Sequence, residues 1–290
     1  MITDSQPLGT PRTILAALVG SGIQRSRTPA MHEAEGSANG IRYVYRLFDT
    51  DHMGNPAPSI GDILKSAEMC GFSGLNVTYP FKQQVMDHLD DLSGNARAVG
   101  AVNTVVFREG RRIGHNTDLW GFGESFRQSM AGVRRKRVLL VGAGGAGVAV
   151  AFALMENGVV HLSVHDRDLR KAEALAEAVC RQKGAGSASV AGNLTAAIRD
   201  VDGLVNATPV GMDKLPGTPV PPELLDPAMW VADVIYFPLE TELVLAAKAK
   251  GCRVMGGAGM AVYQAVRAIE LFTGLKADPD RVSACFARLG

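Results

Sequence analysis

Two side chains in the first half of the sequence have the chemistry to move a proton between them. The run Leu75 to Thr78 predicts a strand, and Pro80 predicts the start of a helix that carries Lys82 in its first turn. The positive end of a helix dipole disfavours an ammonium group, which suits proton transfer at neutral pH. Asp118 lies in a polar segment between a predicted strand and helix, where a carboxylate can partner a lysine. The alternatives are a solvated surface lysine and an Asp118 or Thr117 that only caps a helix.

Two hydroxyl side chains form a second candidate feature, near the N-terminus. A predicted strand over Thr13 to Gly20 opens into a loop that contains Ser26 and Thr28, and Pro29 follows. Proline biases the preceding residue towards an extended backbone, so residues two apart point the same way and the arginines beside them point the other way. The two hydroxyls then face one small volume. Pro29 also predicts a helix of about ten residues with Thr28 as its N-cap, so the alternative is that these residues only turn and cap.

A glycine-rich turn is the third feature, in the segment RVLLVGAGGAGVAVAFA that begins at Arg137. The order is strand, tight turn and buried helix. Gly142 allows the sharp exit from the strand, Gly144 lets the backbone approach a pyrophosphate, and Gly147 lets the helix pack closely on the sheet. A second predicted strand, Val160 to His165, ends before Asp166, whose carboxylate could bind ribose hydroxyls. The pattern predicts a dinucleotide site, and the alternative is an ordinary turn between a strand and a helix.

The elements that position these residues alternate along the chain. Each strand is followed by a helical stretch, which predicts an α/β protein, and the second half predicts a doubly wound parallel sheet with ligands outside the carboxyl ends of its strands. A strand is also predicted over Ala98 to Phe107 and a helix over Leu169 to Cys180. We expect two domains: residues 1–118 with return helices from residues 259–290 form an α/β substrate-binding domain, and residues 119–258 form a Rossmann domain.

Composition limits the class of partner. The chain has 290 residues, with 30 Lys and Arg against 29 Asp and Glu. It therefore lacks an overall positive charge that would attract nucleic acid or a membrane surface. We therefore expect a small-molecule substrate, no nucleic acid and no membrane partner. The charge-free run from Val138 to Met155 approaches the length of a short transmembrane helix, but its glycines favour a buried strand and helix.

The cysteines indicate a reducing compartment, and the histidines do not indicate a metal site. The four cysteines are isolated in the sequence, with no C-x-x-C pair. His161 and His165 are four apart in a predicted strand, with no carboxylate or cysteine cluster, so we expect no metal site. The N-terminal segment MITDSQPLGTPRT lacks the apolar core of a signal peptide, and the cytoplasm is the expected location.

The blocks around these residues resemble the shikimate dehydrogenase family over nearly the whole chain. They read GSGIQRSRTPAMH, GLNVTYPFK, GAVNT with HNTD, GAGGAG, NATPVGM and a closing helix that carries Gln264. The segment SRTPAMHEAEG is similar to the branch that handles quinate as well as shikimate. The resemblance implies reversible NAD(P)-dependent oxidation of a ring alcohol of shikimate or quinate, giving 3-dehydroshikimate or 3-dehydroquinate.

The resemblance also implies roles for single residues. Lys82 and Asp118 would form a catalytic dyad for proton transfer, and Ser26 and Thr28 would hold the substrate carboxylate. The remaining substrate contacts would come from Asn76, Thr78, Asn103, Gln264 and Tyr236. The cofactor contacts would come from Gly142, Ala143, Gly144, Gly145, Ala146, Gly147, Asp166, Arg167, Thr208 and Gly257.

Two departures from the family pattern bear on specificity. Thr28 stands where many members have serine, and its methyl group narrows that corner of the site. Asp166, Arg167 and Asp168 stand where members that prefer NADP tend to carry Asn-Arg-Thr, so we expect NAD to be preferred, with NADP possible.

Alternative functions are an aminoshikimate dehydrogenase, a methylenetetrahydrofolate dehydrogenase or a non-catalytic quinate or shikimate sensor. The sequence leaves the oligomeric state open between monomer and homodimer.

Overall fold

The computed structural model describes residues 12–289, so the predicted absence of a leader in residues 1–13 concerns a segment that lies almost wholly outside the described residues. The strands are β1 Thr13–Gly20, β2 Arg42–Asp49, β3 Gly74–Val77, β4 Asp91–Leu92, β5 Thr104–Arg108, β6 Arg111–His115, β7 Arg137–Val141, β8 His161–His165, β9 Ala188–Val190, β10 Gly203–Asn206, β11 Trp230–Asp233 and β12 Arg253–Met255. The helices are α1 Thr28–Ala38, α2 Ile60–Met69, α3 Gly94–Val99, α4 Thr117–Ser129, α5 Gly145–Glu156, α6 Leu169–Lys183, α7 Leu194–Ala197, α8 Glu242–Ala249, α9 Ala258–Thr273 and α10 Pro279–Arg288.

The described chain divides into two compact units. The first combines Met1–Thr117 with Ala265–Gly290, and the second is Asp118–Gln264. The chain therefore leaves the first unit at the start of α4 and returns to it within α9. The boundaries expected from the sequence were 118/119 and 258/259. The α/β class and the two-domain architecture, with a doubly wound parallel sheet in the second domain, are confirmed.

The first unit is built on a mixed six-stranded sheet in the order β2-β1-β3-β5-β6-β4. Strand β1 is parallel to both of its neighbours, whereas β5 is antiparallel to β3 and β6. Successive residues of a strand face opposite sides of the sheet, and β1 accordingly supplies Ala17 and Val19 to one core and Ala16 and Leu18 to the other. The second of these cores also contains Phe272 of α9, which explains why the chain returns to this unit.

The second unit contains an all-parallel sheet in the order β12-β11-β10-β7-β8-β9. The direction of winding reverses between β7 and β10, and the carboxyl ends of these strands therefore border the crevice where such sheets bind ligands.

The charge-free run from Val138 to Met155 divides between strand β7 and the mostly buried helix α5. Over residues 12–289, no helix has both the length and the apolar character that a membrane span requires.

The predicted helix that begins at Pro80 and carries Lys82 is wrong. Residues 79–83 form a turn, and a short 3-10 helix, Gln84–His88, follows it. The reason is a long-range contact: the carbonyl of Lys82 accepts the backbone amide of Val102 at 2.8 Å instead of an amide in the next turn. Lys82 therefore does not lie in the first turn of a helix, and no helix dipole of the predicted kind acts on it.

Three other local predictions need correction. Helix α1 already includes Thr28, and Arg27 occupies the N-cap without a side-chain hydrogen bond. The predicted strand over Ala98 to Phe107 begins only at Thr104, because residues up to Val99 belong to α3, which Ser93 caps and Gly100 ends in a left-handed conformation. Helix α6 continues past Cys180 to Lys183.

Candidate functional site

The two hydroxyls near the N-terminus lie together. The Oγ of Ser26 and the Oγ1 of Thr28 are 3.0 Å apart, and the backbone amide of Thr28 donates to the Ser26 Oγ at 3.3 Å. Both residues are only partly exposed. They lie in residues 21–28, which are the connection from β1 to α1 and the first residue of that helix, and which we call the hydroxyl loop. A pair of adjacent hydroxyls on one side of this loop can donate two hydrogen bonds to a single carboxylate.

Asp49, at the end of β2, anchors the hydroxyl loop. Its carboxylate accepts the backbone amides of Gly22 at 3.0 Å and Ile23 at 3.2 Å and the side-chain amide of Gln24 at 3.0 Å. The residue is buried. Burial acts to raise the pKa of Asp49, but the hydrogen bonds from Gln24, Asp51, Gly22 and Ile23 together lower it below its ordinary value. The charged carboxylate therefore holds the loop in place, a role that the sequence did not reveal.

The side-chain amides of Asn76 and Asn103 are joined by hydrogen bonds through Thr104. The Nδ2 of Asn76 donates to the Thr104 Oγ1 at 2.9 Å, and that hydroxyl lies 3.3 Å from the Asn103 Oδ1. The Oη of Tyr45 donates to the Asn76 Oδ1 at 2.7 Å, and the backbone amide of Thr117 donates to the Asn103 Oδ1 at 2.7 Å. All five residues are buried. Register brings them together, since Asn76 pairs with Thr104 between β3 and β5.

Thr78 and Lys82 lie close to these amides along the backbone. Thr78 follows β3 directly, its amide donates to the carbonyl of Val19, and its own carbonyl accepts the amide of Phe81 at 2.9 Å. The carbonyl of Lys82 accepts the amide of Val102, the residue before Asn103. Both Thr78 and Lys82 are partly exposed. Asp118 is buried in the first turn of α4 and belongs to the second unit, so its pairing with Lys82 stays a prediction.

The glycine turn has the geometry that a phosphate-binding turn requires. Gly142 has φ +104°, and Gly147 packs so closely that an added Cβ would lie 2.0 Å from the Gly142 carbonyl oxygen. Gly144 and Gly145 are exposed, and an added Cβ would meet nothing within 4 Å at either position. Helix α5 begins at Gly145, so free backbone amides lie at this turn, where an anion is favoured. Ala146 lies in the first turn of the same helix.

Asp166 follows β8 and contacts the glycine turn directly. Its Oδ2 accepts the backbone amide of Ala143 at 2.7 Å, and its Oδ1 accepts that of Asp168 at 2.9 Å. Burial acts to raise the pKa of Asp166, but these two hydrogen bonds, together with the nearby Lys171 and His165, lower the pKa below its ordinary value. A carboxylate has about four acceptor positions, so capacity remains for ribose hydroxyls. Arg167 is exposed beside it, and the glycine turn with Asp166 fits a dinucleotide.

Thr208 is held by a buried network that the sequence did not identify. Its amide and hydroxyl both donate to the Asn206 Oδ1, at 3.0 and 2.7 Å. The Nδ2 of Asn206 donates to the Asp233 Oδ1 at 3.1 Å, and the hydroxyl of Thr241 donates to the Asp233 Oδ2 at 2.7 Å. Burial raises the pKa of Asp233, and its hydrogen bonds offset this only in part. The sequence did contain a signal for this network. Asp233 ends the apolar strand β11, and the neighbouring strand β10 runs into the segment NATP that contains Thr208.

Gly257 lies next to the segment that carries Tyr236, since its amide donates to the carbonyl of Ile235 at 3.2 Å, and Gln264 lies further along the chain in α9. Tyr236 is 46% exposed and follows β11 after a short connection. Gly257 is buried, and an added Cβ would lie 2.4 Å from the Val234 carbonyl oxygen, which explains the glycine there. Gln264 is partly exposed in α9, and Gly121 of α4 packs against its backbone. Among the described residues, no group of three or more His, Cys, Asp or Glu side chains is arranged to hold a metal ion.

Comparison with known proteins agrees with this geometry. Three family models match, described as shikimate dehydrogenase substrate binding domain over residues 18–105, shikimate / quinate 5-dehydrogenase over residues 124–211, and shikimate 5'-dehydrogenase C-terminal domain over residues 257–283. The chain is 49% identical to a shikimate dehydrogenase (NADP(+)) of Streptomyces avermitilis, over 97% of each chain. It is 46% identical to a quinate/shikimate dehydrogenase (NAD(+)) of Corynebacterium efficiens, over 96% of this chain and 99% of the relative.

A solved structure extends the likeness to three dimensions. The quinate dehydrogenase of Corynebacterium glutamicum in complex with NAD superimposes with a TM-score of 0.92 at 44% identity, covering 96% of this chain and 99% of that one. The similarity therefore includes both units and the order of their elements. From these matches and from the geometry of the hydroxyl loop, the buried amides and the glycine turn, we conclude that the chain belongs to the shikimate dehydrogenase family.

Proposed function

We propose that the protein is a shikimate/quinate dehydrogenase that interconverts a ring alcohol of shikimate or quinate with the corresponding 3-dehydro ketone, using NAD(P). The observation that carries this proposal is the coexistence of two sets of residues in one chain. The first unit has a hydroxyl pair and two oriented amides that suit a polyol acid. The second unit has a glycine turn with a carboxylate at the end of the next strand, which suits a dinucleotide.

The hydroxyl loop is the proposed binding site for the substrate carboxylate. Ser26 and Thr28 can each donate one hydrogen bond, and Asp49 fixes the backbone that carries them. In this proposal, the ring hydroxyls are bound by Asn76, Thr78, Asn103 and Gln264, while Tyr236 completes the substrate contacts. Fixed donors and acceptors orient one ring carbon, which is the main requirement for a reaction at a single alcohol among several.

Lys82 and Asp118 are the proposed proton-transfer pair. The glycine turn and Asp166 would hold the nicotinamide cofactor, which would supply the hydride acceptor or donor. In the oxidative direction, the neutral amine of Lys82 takes the proton of the reacting hydroxyl, and in the reductive direction its ammonium returns a proton to the carbonyl oxygen. Asp118 stabilises the ammonium form. One acid/base group thus serves both directions, as a reversible dehydrogenation requires.

We also propose that NAD is preferred over NADP. Asp166 carries negative charge next to the glycine turn, and a 2′-phosphate on the ribose would meet like charge there. Arg167, exposed beside it, is the residue type that pairs with a phosphate, so the two side chains favour opposite cofactors. Relatives differ in the same respect, since the Corynebacterium efficiens protein is named for NAD(+) and the Streptomyces avermitilis protein for NADP(+).

Steady-state kinetics of the purified protein with shikimate and quinate, each against NAD and NADP, test the whole proposal. We expect turnover of at least one acid and a kcat/KM for NAD about tenfold or more above that for NADP, since close like charges cost a few kcal/mol. Asp166→Asn should relax the cofactor preference, and Arg167→Ala is the matched variant that should strengthen it. No turnover of either acid would favour a sensor or another substrate, and faster turnover with NADP would assign cofactor choice to Arg167.

A further inference from the structure

Five buried residues in the first unit form one continuous chain of hydrogen bonds, made by four side chains and the backbone amide of Thr117. It runs from Thr117 through Asn103, Thr104 and Asn76 to Tyr45, with successive donor–acceptor distances of 2.7, 3.3, 2.9 and 2.7 Å. We call it the amide chain. Two of its members are the asparagines proposed above to bind substrate hydroxyls, whereas Thr104 and Tyr45 have no role in that proposal.

The direction of the amide chain is set by backbone groups whose roles cannot change. The amide of Thr117 is an obligate donor, so the Asn103 atom that it contacts must be the oxygen. The backbone carbonyl of Asn103 is an obligate acceptor 3.5 Å from the Asn76 Nδ2, so a flipped Asn76 would place two oxygens against each other. The hydroxyl of Thr104 can then accept from Asn76 and donate towards Asn103.

Tyr45 completes this arrangement as a donor. Its ring is packed against His32, with ring centroids 4.5 Å apart, and its hydroxyl reaches the Asn76 Oδ1. Burial raises the pKa of the Tyr45 hydroxyl well above its ordinary value, and the nearby Tyr43 adds to this, so the phenol keeps its proton. A protonated phenol can donate to the Asn76 oxygen, and this contact opposes rotation of the amide.

We propose that Tyr45 and Thr104 are positioning residues that fix the orientation of the Asn76 side-chain amide, so that a substrate hydroxyl meets the amide oxygen in a preset position. The proposal rests on the proposed function in assigning Asn76 to the substrate. A substrate hydroxyl is both donor and acceptor, and its preferred direction depends on which amide atom it meets. An amide that can rotate pays for the ordering when substrate binds, which weakens binding.

Tyr43 provides a matched control for Tyr45. Both tyrosines lie in β2, both are buried, and each hydroxyl makes a hydrogen bond, that of Tyr43 to the His32 Nδ1 at 2.9 Å. Tyr45→Phe should raise the KM for the acid substrate about 5- to 30-fold, the usual effect of one lost orienting hydrogen bond, with kcat and the cofactor KM changed less than about twofold. Tyr43→Phe should leave the substrate KM within about twofold while costing similar thermal stability.

Thr104 provides the second arm of the test. Thr104→Val removes the hydroxyl and should also raise the substrate KM, whereas Thr104→Ser keeps it and should restore a KM close to that of the wild type. Equal substrate KM values in Tyr45→Phe and Tyr43→Phe would overturn the positioning role, because a general packing defect would then explain both tyrosine variants. A Thr104→Ser variant whose substrate KM is as high as that of Thr104→Val would overturn it as well.

Side-chain amide resonances provide a readout that does not depend on turnover. In the unliganded protein, the Asn76 amide signals should shift or broaden in Tyr45→Phe and Thr104→Val but not in Tyr43→Phe. Unchanged signals in the first two variants would contradict the orientation itself. Changed signals in a protein whose wild type turns over neither acid would instead overturn the proposed function and leave the amide orientation standing.

Discussion

Lys82 is the side chain on which the proposed chemistry depends most directly. It is partly exposed, and its backbone carbonyl, which a side-chain substitution keeps, accepts the amide of Val102. Lys82→Ala should therefore lower kcat by about 10² to 10⁴, the usual contribution of a general acid/base, with little change in melting temperature. Lys65→Ala, an exposed lysine of α2, is the matched control and should leave kcat unchanged. A Lys82→Ala variant that retains more than about a third of the wild-type kcat would remove Lys82 from the mechanism.

Asp49 links the hydroxyl loop to the pH dependence of stability. Because hydrogen bonds lower its pKa in the folded protein, its contribution is fully present above its unfolded pKa of about 3.9 and is lost as the pH falls through the folded value. Asp49→Asn should remove part of the loss of melting temperature that occurs as the pH falls below about 4, and should raise the substrate KM because the loop is released. Superimposable melting curves of wild type and variant across this acid range would contradict the role of the charge.

At the scale of elements, the glycine turn separates folding from cofactor binding. Gly147 has no space for a side chain, since an added Cβ would lie 2.0 Å from the Gly142 carbonyl oxygen, whereas Gly144 faces open space with φ −77°. Gly147→Ala should lower the melting temperature of the unliganded protein by several degrees, because α5 must move away from the sheet. Gly144→Ala should leave it nearly unchanged but weaken NAD binding about tenfold or more, because the methyl group occupies the approach to the pyrophosphate.

Thermal melting without cofactor and NAD titration by calorimetry measure the two effects separately. Each variant is the control for the other, since both replace a glycine of one turn by alanine. If Gly144→Ala bound NAD as tightly as the wild type, the pyrophosphate would have to lie elsewhere on the second unit.

At the scale of the whole molecule, the C-terminal return closes the first unit through Glu35. This residue of α1 is 1% exposed, and it accepts the Arg281 guanidinium at 2.7 Å and the backbone amide of Asp278 at 2.9 Å. Arg281→Leu should lower the free energy of unfolding by about 1 to 3 kcal/mol, because a buried carboxylate loses its charged partner. Arg97→Leu is the control, since its ion pair with Asp91 is exposed on both sides and should contribute less than about 1 kcal/mol. Urea unfolding of both variants measures the difference, and equal losses would show that Glu35 is held mainly by its other contacts.

Local features of the sequence were sufficient for much of the fold. The glycine turn, the alternating strands and helices and the position of Asp166 follow from residue types within short segments, because strand periodicity and turn conformation are local properties. The proximity of Ser26 and Thr28 followed for the same reason, since the two hydroxyls are only two residues apart.

The tertiary structure decided what depends on contacts between distant segments. Lys82 lies in a turn because its carbonyl accepts the amide of Val102, and no pattern near Pro80 signals that partner. Likewise, Asp49 anchors a loop that lies over twenty residues earlier, and Tyr45 meets Asn76 because β1 brings their strands to either side of it. A sequence fixes which hydrogen-bonding groups exist, but the register between strands decides which of them are within reach of one another.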